Sequence, residues 1–433
     1  MRWLALVGGV LVQLVIGGVY AWSLFGRALQ SPEAMGLGHV EATVPFELAI
    51  GLIFVGASVG GRLQDRSSPR LVALVGCAIY GAGVMLASLA REASDLWLLV
   101  LGYGVVGGFG LGMAYIVPIA LLQKWFPRHR AIVTGLAVGG FGFGATVTSP
   151  VAQRLMALTP DEPTAAFLPL GAGYLVLGLL GAGLLSSPRE RFDADPALRA
   201  GVRLNERGGD PSSRAGVRLN EREADSASRA SAQPAEGVDL TVAQALRTPQ
   251  WYLLTGTLAV AVAAGIALIS MMAAASVDVA GLDAAGAATA VGLLALCNGG
   301  GRIVWAAVAQ RLGQLPVLMV ILALEGAALL LLPHSTGAGF LALAAVVYLC
   351  YGGAFGALPS AAGAAFGMRH AGAIYGLMLV GWSLSGVVGP LLASTLVGDA
   401  GNYRLAFSVL GAIAVAGVAL PFACRRIGLE ATP

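Results

Sequence analysis

Charged side chains are scarce in this chain. Asp, Glu, Lys and Arg make up 11% of its 433 residues, whereas apolar residues make up 57%. A soluble domain carries roughly 25% charged residues, so the composition excludes an ordinary soluble fold and indicates an integral membrane protein. The formal charge is only +3, which gives no reason to expect a nucleic-acid partner.

Residues for covalent or metal chemistry are also few. The four cysteines all fall in apolar segments, where they are interpreted as small buried residues rather than disulfide partners or zinc ligands. The sequence contains no Walker-type loop and no visible nucleophile–base pair or metal-ligand cluster. We therefore expect no catalysis, no metal, no cofactor and no ATP-driven transport by this polypeptide alone.

Long apolar runs are abundant instead. Twelve runs are long enough, at 1.5 Å per residue, to cross a hydrocarbon core about 30 Å thick. The first is interpreted as a retained helix rather than a signal peptide, because no small-residue cleavage site follows it. The predicted fold is all-α, with twelve transmembrane helices. Their predicted limits are 3–25, 43–61, 71–90, 96–123, 131–156, 166–186, 250–277, 285–309, 315–333, 338–366, 371–397 and 403–423.

One long polar segment, residues 187–249, separates the sixth and seventh spans. It repeats AGVRLNER at 200–207 and 215–222, and a flexible low-complexity linker is favoured over a tether for a partner or for lipid headgroups. The predicted domains on either side are six-helix bundles, 1–186 and 250–433. We expect a monomer.

Lys and Arg are distributed unevenly between the two sides of the predicted membrane. If both termini lie on one side, only four cations fall on the other: Arg27, Arg91, Arg154 and Arg404. Loops rich in Lys and Arg usually stay in the cytoplasm. We therefore expect the termini and the linker to be cytoplasmic in a plasma (inner) membrane.

Arg302 is a cation well inside a predicted span. A guanidinium at mid-bilayer depth costs at least ~2.5–3.5 kcal/mol, so it is expected to face a partner or a watery cavity. Asn298 and Trp305 share its helix face at i, i+4 and i+7 spacing. A planar guanidinium holds a carboxylate through two hydrogen bonds, and an amide can add a donor. This pattern favours an anion site over an arginine that only packs or snorkels.

The two halves of the chain resemble each other. The fourth–fifth span junction reads KWFPRHRAIVTGLAVGGFGFGA from Lys124, and the tenth–eleventh reads AAFGMRHAGAIYGLMLVGWSLSG from Ala364. Two pseudo-symmetric bundles that rock about a central site suit an alternating-access carrier. The matched pairs are Gly135 with Gly376, Gly140 with Gly381, and Phe141 with Trp382.

The loop GRLQDRSSPR, which begins at Gly61, resembles the loop motif of the major facilitator superfamily, with Asp65 and Arg66 in its charged positions. The resemblance implies that these residues latch helices in one state. The equivalent loop of the second half has Gln310 where an acid is usual, which argues against a symmetric second latch.

Within that superfamily, the chain is similar to the oxalate/formate antiporter and monocarboxylate transporter group. The matching pieces are YAWSLF at 20–25, GMAYIVPIALLQKWFPRHR at 112–130, NGGGRIVW at 298–305 and GAIYGL at 372–377. In that group the arginine of the eighth helix binds the substrate carboxylate. The animal carriers have Asp where this chain has Asn298, so Arg302 is freer to take its counter-charge from substrate.

Aromatic residues are the other substrate-binding candidates. The resemblance places a substrate-contacting tyrosine at Tyr115. Tyr351 and Phe355 are spaced i, i+4 and are expected to face the same cavity. Packing between helices or against lipid is the alternative for each. Further candidates for the cavity wall are Phe141, Trp382 and Tyr20.

The positions of the charged residues bear on how many carboxylates the substrate has and on which group carries a coupled proton. The oxalate exchanger of the group uses a Lys in the eleventh span, but residues 371–397 contain no Lys or Arg. A dianion would keep one charge unpaired in low dielectric, so a monocarboxylate of the lactate, pyruvate or formate type is favoured. Glu47 and Glu325 are carboxylates inside apolar runs and are candidate proton carriers. A protonated substrate could also carry the proton.

The sequence therefore predicts a secondary carrier of small monocarboxylates, coupled to protons and working by rocker-switch alternating access. An oxalate/formate-type anion exchanger is the first alternative. A transporter-like membrane sensor, with the linker as its output, is the alternative from another class.

Overall fold

The computed structural model describes residues 2–126, 130–187, 239–367, 370–398 and 401–429. Helices form almost all of these ranges, and no strand occurs within them. The duplicated AGVRLNER segments lie outside the described residues.

Twelve helices in the described ranges are long and apolar enough to cross a membrane, which confirms the predicted number. An even number of crossings puts both chain ends on one side, which we call the termini face; the other end of the bundle is the opposite face. The helices are α1 Arg2–Leu29, α2 Val40–Gln64, α3 Pro69–Ala87, α4 Ala93–Trp125, α5 Ile132–Leu158, α6 Pro163–Gly183, α7 Pro249–Asp278, α8 Ala284–Leu312, α9 Gln314–His334, α10 Gly337–Phe366, α11 Gly372–Val397 and α12 Tyr403–Ile427.

Local sequence signals set several helix ends. Asp283 caps α8, because its Oδ1 accepts a hydrogen bond of 2.7 Å from the backbone N–H of Gly286. Gly313 has φ of +88° between α8 and α9, and Gly367 has φ of +83° after α10. Glycine adopts this left-handed conformation readily, so both helices stop there.

The sequence repeat corresponds to a repeated packing contact. A Cβ at Gly140 of α5 would lie 2.7 Å from the carbonyl oxygen of Val10 in α1. A Cβ at Gly381 of α11 would lie 2.8 Å from the carbonyl oxygen of Thr255 in α7. The matched glycines therefore bring equivalent helix pairs together in the two pseudo-symmetric bundles.

Two long helix pairs join the bundles, because α5 packs along α8 and α2 packs along α11. In the first pair, a Cβ at Gly142 would lie 2.5 Å from the backbone nitrogen of Gly299. In the second, the Ser383 hydroxyl donates to the Ile50 carbonyl oxygen at 3.1 Å and accepts from the Phe54 N–H at 3.1 Å. The bundles thus meet across the middle of the molecule.

The end of the predicted linker segment packs against the second bundle. The Leu240 side chain is buried, and its N–H donates to the carbonyl oxygen of Phe366 at 2.9 Å. A four-residue helix, Val242–Ala245, follows and is capped by Thr241 and Gln244. Residues from 239 onward therefore form part of the termini face.

Candidate anion site

Arg302 lies on α8 at the interface of the two bundles and is completely buried. Its Nη1 donates to the carbonyl oxygen of Val138 in α5 at 3.2 Å, and its Nε donates to the Asn298 side-chain oxygen at 3.3 Å. Both hydrogen bonds are at or beyond the long end of the usual range for N–H···O contacts. The guanidinium is therefore held by both halves of the protein, but loosely.

Aromatic rings sandwich the guanidinium. Its Cζ lies 4.7 Å from the ring centroid of Phe355 and 5.1 Å from that of Phe141, within the range of a cation–π interaction. The faces of these rings carry partial negative charge and stabilise a buried cation by up to about 2 kcal/mol. One ring comes from each bundle.

The predicted aromatic residues meet around this pair. The hydroxyls of Tyr20 and Tyr351 share a hydrogen bond of 2.6 Å between the two bundles. The Trp382 ring lies 5.7 Å from that of Phe141 and 5.2 Å from that of Tyr115, measured between centroids. The repeat partners Phe141 and Trp382 thus contact each other at the centre. All six predicted aromatics are buried.

The guanidinium retains unused capacity for hydrogen bonding. Its Nη2 is buried and has no hydrogen-bond partner. The Tyr115 hydroxyl interacts electrostatically with Arg302 but likewise has no hydrogen-bond partner of good geometry. No ion pair of Arg302 occurs among the described side chains. A buried arginine without a carboxylate is suited to an anionic ligand, because a ligand carboxylate would accept from Nη2 and supply the missing charge.

The other predicted residues lie elsewhere. Glu47 accepts a hydrogen bond of 3.1 Å from the Thr43 hydroxyl near the opposite face. Glu325 of α9 is completely buried, and neither carboxylate oxygen has a hydrogen-bond partner. Gly61 lines a cavity at the termini face. The side chains of the latch residues Asp65 and Arg66 lie outside the described residues.

The cavities at the two ends of the bundle differ in volume. At the termini face, a cavity of about 380 Å³ lies between the bundles, bounded by the ends of α2, α4, α10 and α11; we call it the vestibule. At the opposite face the corresponding cavity measures about 60 Å³, and Arg27 of α1 donates to the carbonyl oxygen of Ala273 in α7 at 3.3 Å. Access toward Arg302 is therefore widest from the termini face.

Two groups at this site were not singled out from the sequence. The first is the carbonyl oxygen of Val138. The sequence cannot indicate it, because every residue has a backbone carbonyl group. The second is Tyr375 of α11, which lines the vestibule and interacts with Tyr115. The sequence repeat pairs Tyr375 with Thr134. A tyrosine in place of a threonine at the start of α11 is the feature of the sequence that could have drawn attention to it.

The fold and the sequence match a known class of membrane protein. The sequence model of the Major Facilitator Superfamily matches residues 3–379 and, in a second alignment, 281–427. The chain therefore belongs to the Major Facilitator Superfamily, whose members are transporters rather than enzymes.

Relatives within the superfamily include carriers of organic acids. The oxalate:formate antiporter of Oxalobacter formigenes is 22% identical over 99% of this chain and 92% of its own length. The apicoplast pyruvate carrier 1 of Toxoplasma gondii is 26% identical over 87% of this chain and 81% of its own. Human monocarboxylate transporter 11 is 33% identical over 32% of this chain and 28% of its own. This agrees with the resemblance noted from the motifs.

Proposed function

We propose that this transporter is a secondary carrier of small monocarboxylates of the lactate, pyruvate or formate type, and that Arg302 binds the substrate carboxylate. The observation that carries the proposal is the buried guanidinium between the bundles, whose Nη2 has no hydrogen-bond partner. Asn298 fixes the guanidinium without neutralising it, so the counter-charge is left for the substrate.

Charge favours a substrate with one carboxylate. The α11 helix, Gly372–Val397, contains no Lys or Arg, and the described contacts of Arg302 include no second cation. A dianion would bring a second charge into a low-dielectric site without a partner, which costs several kcal/mol. The aromatic wall of Tyr20, Tyr115 and Trp382 suits the small apolar part of a monocarboxylate.

Alternating access would place the substrate site between two rocking bundles. The site is held by residues of both bundles, and the vestibule leads toward it from one face only. We assign the termini face to the cytoplasm of the plasma (inner) membrane, because most Lys and Arg residues lie on that side. The described state is then an inward-facing one.

We also propose proton coupling, in which one proton is taken up with each carboxylate that binds Arg302. Glu47 and Glu325 are the candidate carriers of that proton, but neither contacts Arg302 in the described structure. Glu47 pairs with Thr43 near the opposite face, and Glu325 has no polar partner. Glu47→Gln and Glu325→Gln should therefore keep uptake driven by a pH gradient, and loss of that drive in either variant would identify it as the proton carrier.

Uptake by proteoliposomes tests the proposal. Labelled lactate, pyruvate and formate are presented with and without an inward-directed proton gradient. Wild-type protein is expected to accumulate at least one of them, more so with the gradient, and Arg302→Ala is expected to abolish uptake. Arg91→Ala removes an exposed arginine and serves as the matched control. Full uptake by the Arg302→Ala variant would overturn the site.

The anion-exchanger alternative is supported by the oxalate:formate antiporter among the relatives. Counterflow separates the two functions: vesicles loaded with oxalate or formate are tested for uptake of labelled oxalate or formate. A monocarboxylate carrier should exchange formate but not oxalate. Rapid oxalate counterflow would favour the exchanger.

The sensor alternative requires a signal from the linker rather than transport. Deleting residues 190–237 removes the duplicated segments but keeps the packed residues from 239 onward. A carrier with a passive linker should transport at the wild-type rate after this deletion. Absence of transport in the wild-type protein for every acid tested would favour the sensor.

A further inference from the structure

Several residues of the vestibule wall have buried polar atoms that lack hydrogen-bond partners. Three buried oxygen atoms of residues in its wall have no hydrogen-bond partner of good geometry: Ser58 Oγ, Gln64 Oε1 and Tyr375 Oη. The two hydroxyls among them can donate to an anion. Tyr375 is only 3% exposed. Buried hydroxyls and amides are normally hydrogen-bonded, and each exception needs an explanation such as a ligand or water.

Two cationic side chains line the same cavity. Arg62 of α2 and Lys124 of α4 belong to the vestibule wall, as does His370 before α11, and the described residues of this wall include no Asp or Glu. A cleft lined by one sign of charge raises the local concentration of ions of the other sign. The vestibule therefore attracts anions before they reach the interior.

Tyr375 connects this cavity to the central site. Its hydroxyl lies at the inner wall and interacts with that of Tyr115, and Tyr115 in turn interacts with Arg302. Ile116 and Ile119, which follow Tyr115 on α4, also line the vestibule. The two tyrosines thus separate the vestibule from the guanidinium.

The two halves of the repeat differ at this place. A Cβ at Gly135 of α5 would lie 2.9 Å from the Arg302 carbonyl oxygen, whereas a Cβ at its partner Gly376 would meet nothing within 4 Å. Gly376 lines the vestibule instead. Open space therefore lies beside the α11 glycine and not beside its α5 partner.

We propose that the vestibule contains a second, shallower carboxylate site, in which the Tyr375 hydroxyl donates to a substrate carboxylate drawn in by Arg62 and Lys124. The acid binds there first and then passes Tyr115 to reach Arg302. This inference rests on the proposed function, because its ligand is the same monocarboxylate. The second site binds only substrate that enters from the termini face.

Transport measured separately from the two faces tests the second site. The protein is reconstituted in one orientation, and KM for the acid that the wild type transports best is measured from each side. Tyr375→Phe removes only the hydroxyl. A hydrogen bond to a charged group is lost, so KM from the termini face should rise about tenfold, with KM from the opposite face unchanged.

Tyr80→Phe is the matched control, because Tyr80 is equally buried, also has an unpartnered hydroxyl, and lies on α3 away from the vestibule. It should change KM at neither face. If Tyr375→Phe does not fold, as judged by its melting temperature, Ser58→Ala carries the test with the same expected asymmetry, because it removes the other unpartnered hydroxyl of the vestibule wall.

Two results would overturn the second site. One is an unchanged KM from the termini face, and the other is an equal change from both faces, which would place Tyr375 in the central site. Either result leaves the assignment of Arg302 unchanged, since that assignment is tested separately and fails if Arg302→Ala still transports.

Discussion

Arg302 and Glu325 are ionisable side chains on helices of the second bundle, and both are completely buried. Around Arg302, acceptors and aromatic faces converge from α5, α8 and α10. Around Glu325, no described group forms a hydrogen bond with either carboxylate oxygen. One ionisable group is thus held at the interface of two bundles, and the other lies within a single bundle.

Under the proposed function, this difference indicates which property distinguishes a substrate-binding residue in this molecule. Burial of an ionisable group does not distinguish the two residues, and neither does depth in an apolar helix. Contact with the partner bundle does distinguish them, because a carrier works by changing the relation between its bundles. We therefore expect substitutions to affect transport most at Arg302, less at residues farther from it, and least at Glu325.

Arg302→Lys should give the largest loss among conservative changes. The charge is kept, but the planar fork and its stacking between Phe141 and Phe355 are lost. We expect kcat/KM for uptake to fall about 100-fold or more, which corresponds to two charge-assisted hydrogen bonds. Uptake kinetics in proteoliposomes measure this, with Arg91→Lys as the control. Near-normal kinetics would mean that only positive charge is needed.

Asn298→Asp should give the next largest effect. The new carboxylate would take the place of the amide oxygen that now accepts from Nε and would neutralise the guanidinium in competition with substrate. KM should rise about tenfold, because the guanidinium favours the ionised form of the new carboxylate, which then competes with substrate. Asn402→Asp at the cap of α12 is the control. A KM equal to that of the wild type would contradict the account.

Tyr351→Phe should have a smaller effect. It removes the 2.6 Å hydrogen bond to Tyr20 that joins the bundles beside Arg302. A neutral hydrogen bond contributes about 0.5–1.5 kcal/mol, so the ratio of exchange to net uptake should shift only a few-fold. The kinetics of counterflow and net flux measure that ratio. A complete loss of transport would show that the hydroxyl binds substrate directly.

Glu325→Gln should have the smallest effect. The amide has nearly the same shape, and no hydrogen bond in the described structure is lost. We expect kcat and KM within about twofold of wild type, the usual range for a change that breaks no interaction. If uptake falls as steeply as in Arg302→Lys, the contrast between the two buried groups is wrong and Glu325 takes part in transport.

Much of the fold follows from the apolar pattern. The predicted span 285–309 corresponds to Ala284–Leu312 in the structure, and 315–333 corresponds to Gln314–His334. The first helix is less well predicted, since it continues to Leu29 instead of ending at 25. Its last turn contains Arg27 and bonds across the bundle interface, so polar residues extend the helix beyond the apolar run.

The site was predictable where side-chain chemistry is distinctive. Arg302 and Asn298 are conspicuous in the sequence because charged and polar side chains are rare in an apolar helix. The sequence repeat pairs Phe141 with Trp382. The Val138 carbonyl and the Tyr115–Tyr375 contact were not predictable. The first depends on how closely α5 approaches α8, and the second joins residues of different bundles in one conformational state.

Equilibrium binding tests the central claim most directly, because it needs no transport cycle. Purified protein in detergent is titrated with labelled formate, pyruvate or lactate, and the wild type is compared with Arg302→Ala and Glu325→Gln. Binding should vanish in Arg302→Ala and keep the wild-type Kd in Glu325→Gln, at unchanged melting temperature. Wild-type affinity in the Arg302→Ala variant would contradict the assignment of Arg302 as the carboxylate-binding residue.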